Sequence, residues 1–440
     1  MSDFYRTYYQ LKLTLRTPLA VGSGATAATD NDVIVDSREK PLIPATAITG
    51  VLRSAIASLA ETVSAQGIDG IPLDHALFGF IPTIALTDAQ KLAPNNVTMP
   101  TGIRVYDACL EPGTSQAFFI TTRDCVKLEK KVAVKGAKFD MQAVEPGAVF
   151  IGYLELLSGA YDAETKIEAA LAALNRGDLR LGSKTTRGYG VVSVEAGKKT
   201  FGKVDDWLSK DDIRALDYEH VDLNQTSRAT IITAKLRAVG GISIREYTTQ
   251  VAPEGETAPD YMSLSLHDAG HTPVIPGTSW AGAFRDRFAE IAGETARDNL
   301  FGFVKTDKTD GRNEDVKKSD ISFNESRIEG GTIKKTTRNS IDRFSGATKD
   351  GALYTEITSY FGTTELCITI RRPLSGEERF ALAACLADLH EGLLPIGGLT
   401  SVGRGLFEIE SLSMTGRDGA LTENIDVCAI VNYIVGGDAQ

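Results

Sequence analysis

A proline-led pattern stands twice in this chain at one fixed separation: Pro44, Gly50 and Arg53 near the start, then Pro276, Gly282 and Arg285 far downstream. The three separations agree, since 276 − 44, 282 − 50 and 285 − 53 are all 232. Three landmarks in one register predict two copies of a single module. No other feature constrains the fold as strongly, because the same architecture must be built twice. The 440-residue length gives each copy about 200 residues, enough to bury a core of its own.

Composition narrows the class. Hydrophobic residues at 42% and charged residues at 24% suit a globular chain rather than a disordered one. Cys109, Cys125, Cys367, Cys385 and Cys428 are scattered and form no CxxC pair. This pattern speaks against a disulfide scaffold or a structural zinc site and fits a reducing cytoplasm. The N-terminus has no signal-like apolar core, and no apolar run approaches the roughly 18 residues of a membrane span. The expectation is a soluble, cytoplasmic protein with no membrane partner. A net charge of −11 counts against nucleic-acid binding as a whole. Charge is local, however. Residues 121–138 carry Arg123, Lys127, Lys130, Lys131, Lys135 and Lys138, and residues 327–349 carry Arg327, Lys334, Lys335, Arg338, Arg343 and Lys349. These segments are either electropositive tracks or two solvated hairpins.

The two halves also share an order of elements. Alternating strands open each, at 9–15 and 230–236, and a Gly-rich turn follows. An acidic residue, Asp36 or Asp268, precedes the proline-marked helix start, where Thr46 and Thr278 are the expected N-caps. Ile48, Val51, Leu52, Ala55 and Leu59 share one helix face, as do Trp280, Phe284, Phe288 and Ile291. Leu77-Phe78-Gly79 recurs as Leu300-Phe301-Gly302, and the Gly-rich stretch 181–191 recurs as 396–406. Residues 206–228 match nothing in the other half and are expected as a linker between domains 1–205 and 229–440. The fold class is α+β: tandem ferredoxin-like units of β-α-β-β-α-β order, each with an inserted basic β-hairpin.

Taken together and in order, the Ile-Pro-x-Thr helix start, the Gly-x-x-Arg, the Leu-Phe-Gly and the late Gly-rich loop resemble the RAMP superfamily of CRISPR-associated proteins. The closest likeness is to the backbone subunit of type III effector complexes. Two copies in one chain are similar to the type III-D variants with merged subunits. Asp30-Asn31-Asp32-Val33-Ile34-Val35-Asp36 resembles that subunit's Asp-x-x-Val-x-x-Asp segment, and residues 339–352 resemble its thumb hairpin. The resemblance implies that the chain holds CRISPR guide RNA and meets single-stranded target RNA alongside other type III effector subunits. It also implies cleavage of target RNA with Mg²⁺ (or Mn²⁺) at Asp30.

RNA carries its own nucleophile, the 2′-hydroxyl, so cleavage needs in-line alignment and stabilisation of developing charge. One carboxylate and a hydrated divalent cation meet that need. Asp30 is the candidate in the first copy; otherwise it is a surface turn carboxylate. In the second copy, the residue six before Asp268 is Met262, and the nearest carboxylate is Asp260, two residues earlier. A two-residue insertion would make Asp260 the counterpart of Asp30 as catalytic and metal-binding residue. Arg53 and Arg285 are either guide-phosphate contacts or helix-surface salt bridges. Lys184, Arg187 and Arg404 flank loops whose amides could cradle phosphates. His267 and His271 stand four apart, but Gly270 argues against a helical metal pair. Rival readings are a guide-processing RAMP endoribonuclease and a silent RNA-binding scaffold.

Overall fold

The computed structural model describes residues 5–24, 30–82, 93–112, 120–129, 132–157, 159–209, 212–224, 227, 229–246, 258–266, 270–306 and 313–430. Within these, the side chains of 124–129, 132–139, 305–306 and 313–314 are left undescribed. Two compact units divide the chain. The first comprises Met1–Thr122, Asp140–Thr185 and Tyr189–Ser227; the second comprises Arg123–Phe139, Thr186–Gly188 and Arg228–Gln440.

The opening strand of the first unit, Arg6–Leu15, alternates as its sequence demands, with Leu11, Leu13 and Leu15 facing inward. It lies between Val192–Phe201 and Val149–Leu156, and Ala108–Leu110 flanks the latter, all antiparallel. In chain order these are strands 4-1-3-2, the ferredoxin-like arrangement. Helices Ala45–Ala57 and Ala163–Arg176 supply Ile48, Leu52, Ile56, Ile167 and Leu171 to one core. The second unit repeats the order with Phe407–Thr415, Thr230–Ala238, Thr363–Ile370 and Ser326–Glu329. Its helices are Gly277–Phe301 and Gly376–His390. Trp280, Phe284 and Phe288, four apart on one face, are fully buried. Each such side chain contributes about 2–3 kcal/mol of apolar burial.

Between the second and third strands of each sheet a long hairpin is inserted. In the first copy it is Ile120–Glu129 with Val132–Val144. In the second it is Thr332–Ile341 with Thr348–Tyr360, in register from Thr332↔Tyr360 to Asn339↔Leu353, with a shift before Ile341↔Thr348 near the tip. The Asp342 carboxylate closes the second tip by accepting the Phe344 and Ser345 amides, each at 2.9 Å. Those amides, Ser345 foremost, hold its pKa below the usual carboxylate range.

Two local expectations change. The helix starts are capped at Pro44 and Pro276 rather than by Thr46 and Thr278, and neither proline position has a side-chain cap. Proline has already fixed the entry geometry, so the threonines fall inside the helix. In the first unit the Asp107 carboxylate takes the free Ala45 amide at 2.6 Å. Residues 206–228, expected as a linker, fold onto the first unit where they are described. Glu219–Val221 pairs with Val192–Phe201, Val221 and Leu223 enter the core, and the Trp207 indole donates to the Tyr8 hydroxyl at 2.7 Å.

The late Gly-rich loops have matching geometry. Gly190 and Gly405 have φ of +79° and +75°, and a Cβ on either would fall on the carbonyl oxygen of Leu181 or Ile396. Only glycine fits both demands. Gly190→Ala or Gly405→Ala should therefore each remove about 2 kcal/mol or more of stability. The denaturant midpoint reads this directly, and an unchanged midpoint would show that the loop yields freely.

Candidate RNA interface

The root of each long hairpin carries an aspartate in one and the same setting. In the first copy, Asp30 is exposed and its Oδ2 accepts the backbone N–H of Asp140 at 3.0 Å. The next residue, Asn31, forms a parallel bridge to Met141, and Gln142 donates its amide to the Asn31 carbonyl at 2.8 Å. In the second copy, Asp260 is exposed and its Oδ2 accepts the N–H of Thr355 at 2.7 Å. Its own amide donates to the Thr355 carbonyl at 2.8 Å, and Tyr261 pairs in parallel with Glu356. Asp140 and Thr355 are 355 − 140 = 215 residues apart, the same offset as Gly190 and Gly405. Asp260 thus stands where Asp30 stands, with two extra residues between it and Asp268. A short parallel pairing against the returning hairpin strand fixes both carboxylates at a hairpin root.

Asp36 orients its own turn: its carboxylate accepts the amides of Arg38 and Lys40 at 2.8 and 3.0 Å, which lowers its pKa. Asp268 and His267 lie outside the described residues.

The helix arginines are paired within their units. Arg53 Nε meets Asp74 at 3.0 Å, and Arg285 meets Asp298 at 3.6 Å. Burial lowers the Arg285 pKa first, and the neighbouring Arg297 charge adds to it. These half-exposed pairs contribute little to stability and leave each guanidinium donors to spare.

Two of the expected RNA contacts are buried in the structure. Arg404 is 3% exposed, and its guanidinium is bound to the Glu356 carboxylate, to Thr358 Oγ1 at 3.1 Å and to the Tyr360 hydroxyl at 3.3 Å. Arg123 is 4% exposed and paired with Glu325. An arginine this deep is held because a buried carboxylate answers it. In the second loop the amides of Ile396, Gly398, Val402, Gly403, Arg404 and Gly405 bond backbone carbonyls. Of the other flanking cations, Arg187 is exposed and Lys184 half-buried, with Lys184 in the left-handed region at φ 56°.

Lys334, Lys335 and Arg343 are exposed along the second hairpin and Arg338 is half-exposed. Arg343 packs over Phe344 at the tip, 5.8 Å from the ring centre, and Phe344 is 91% exposed. Lys130 and Lys131 lie outside the described residues, and the side chains of Lys127 and Lys135 are likewise undescribed.

Sequence reasoning missed a cluster beneath the second hairpin root. Glu356 is fully buried between Arg404 and Arg338, the latter at 3.5 Å. Tyr261 lies within electrostatic reach of the same carboxylate: burial raises its pKa foremost, the Arg245 charge lowers it and Glu356 raises it. The first copy has Met141 and Tyr189 at the positions of Glu356 and Arg404, buried at 1% and 4% exposure. The 215-residue offset was legible in the sequence and pairs Tyr189 with Arg404. Reading it through would have flagged a tyrosine-to-arginine change at a core position.

Among the described residues, no three His, Cys, Asp or Glu side chains gather as a metal site. No helix there is long and apolar enough to cross a membrane. The family model described as RAMP superfamily matches residues 12–193 and 248–408. No curated protein matches the chain.

Proposed function

This chain belongs to the RAMP superfamily, which makes it a CRISPR-associated RNA-binding protein, and from that premise we propose a sharper role. It is the fused two-copy backbone subunit of a type III effector complex, holding guide RNA and cutting complementary target RNA at Asp30 and Asp260. One observation carries the reading: an exposed carboxylate, pinned by a backbone amide, recurs at the root of both hairpins.

The chemistry asks little of the protein. Each aspartate is held through one oxygen, so its charge has a fixed position without being buried. A carboxylate there can accept a hydrogen bond from a 2′-hydroxyl and draw its proton as the in-line attack proceeds. The cations of the second hairpin neutralise RNA phosphates beside it and set the register of the strand. Asp30 and Asp260 each offer a single carboxylate for a divalent ion. That donor set fits Mg²⁺ or Mn²⁺ taking its remaining oxygens from water and RNA phosphates, and does not fit a protein-caged metal. Such an ion, when bound, offsets the charge that develops on the phosphate.

The amide pin also favours a second reading, since a purely structural cap looks the same. A labelled target, paired to a known guide in the reconstituted effector complex, separates the two. The enzyme reading expects two cuts per chain, abolished by chelation. A target that stays bound and intact in Mg²⁺ leaves a silent RNA-binding scaffold.

A further inference from the structure

Beside Asp260 in the second unit, three flat groups lie in a row. The Arg245 guanidinium sits over the Tyr261 ring, 4.1 Å from its centre. Tyr261 stacks with Tyr354, their centroids 6.2 Å apart and their planes 26° from parallel. All three side chains are half-buried, so part of each reaches solvent. Arg245 Nε donates to Ser243 Oγ at 3.0 Å, which holds the guanidinium in place. Backbone pairing fixes the row as well: Arg245 opposes Ser263, and Tyr261 follows Asp260 directly.

Two of the three groups have no counterpart in the first copy, and Phe139, which stands where Tyr354 stands, has a side chain outside the described ones. Gly22 opposes Val33 where Arg245 opposes Ser263, and Asn31 stands where Tyr261 stands. A glycine and an asparagine present no stacking surface. The row is therefore no requirement of the fold, which the first copy builds without it.

The geometry points to a binding site for one unpaired nucleobase of single-stranded RNA, formed by Arg245, Tyr261 and Tyr354 next to Asp260. It rests on the RNA-binding reading above and adds to it a base contact confined to the second copy. Aromatic rings and guanidinium planes take a nucleobase by stacking, with little regard to its identity. Rings already stacked against one another and against a guanidinium lose little freedom when a base settles beside them.

The test uses the full chain and a labelled oligoadenosine of roughly 12 nucleotides, a span suited to such sites. Anisotropy at low salt gives the affinity. Tyr261→Leu and Arg245→Ala should each weaken binding about ten-fold, within the range of one lost stacked base. Tyr261→Phe should bind like the parent, and an oligomer of the same backbone lacking bases should bind parent and Tyr261→Leu alike. The dependence on salt should not change in Tyr261→Leu, because stacking releases no counterions, whereas Lys334→Ala should flatten it. Thermal melting confirms that each variant is folded. Should parent and folded Tyr261→Leu bind oligoadenosine equally, the base site is overturned while RNA binding stands. No binding by the parent overturns both.

Discussion

Replacing Asp30 with alanine should abolish one target cut, and replacing Asp260 should abolish the other, each by about 10²-fold or more. The two sites lie in separate copies, so each loss should leave the other cut at its parental rate. Asparagine sharpens the test. Its amide oxygen can still accept the Asp140 or Thr355 N–H, so Asp30→Asn and Asp260→Asn keep the pin and lose only the charge. If the carboxylates act on RNA, asparagine is as damaging as alanine. If they only cap the hairpin root, asparagine is silent and alanine costs about 1 kcal/mol of stability with cutting unchanged. Fragment mapping on the assembled complex reads the first effect and a melting curve the second.

Glu356→Ala should destabilise the fold more than any of the substitutions above. It leaves the Arg404 guanidinium buried without its carboxylate, and it strips Arg338 of the same partner. Breaking a buried pair from one side costs about 3–5 kcal/mol. In a unit of this size that lowers the midpoint by roughly 6–20 °C. Arg404→Ala should also destabilise, by leaving the buried carboxylate with Arg338 alone at 3.5 Å. The double change Glu356→Met with Arg404→Tyr, which installs the first copy's residues, should recover most of the loss. Calorimetry on all three tests this. A Glu356→Ala protein that melts with the parent would show that water already reaches the pair.

Much of the fold was legible because the chain states it twice. Alternation in 9–15 and 230–236, the i, i+4 aromatics of 280–288 and the matched glycines at 190 and 405 follow from periodicity and backbone sterics alone. The candidate site was legible in part. The position of Asp260 could be counted from Asp30 only by admitting a two-residue insertion, and pairing against the hairpin strand is what fixes it. What stayed hidden was burial. Arg404 and Arg123 read as surface cations because nothing nearby in sequence announces Glu356 or Glu325, which reach them across 48 and 202 positions. Positive charge in a glycine-rich loop carries one meaning in water and the opposite one over a buried carboxylate.

The differing pairs, Met141 with Tyr189 and Glu356 with Arg404, bear on how two such copies persist in one gene. Tandem repeats of like sequence tend to exchange segments and grow alike. An exchange falling between the hairpin and the Gly-rich loop would set Glu356 against a tyrosine in one copy, or Arg404 against a methionine in the other. Either hybrid buries a charge short of its partner, at a cost in stability against a marginal total. The buried pair would therefore disfavour such exchange at these positions, where the copies also differ in Arg245 and Tyr261 against Gly22 and Asn31.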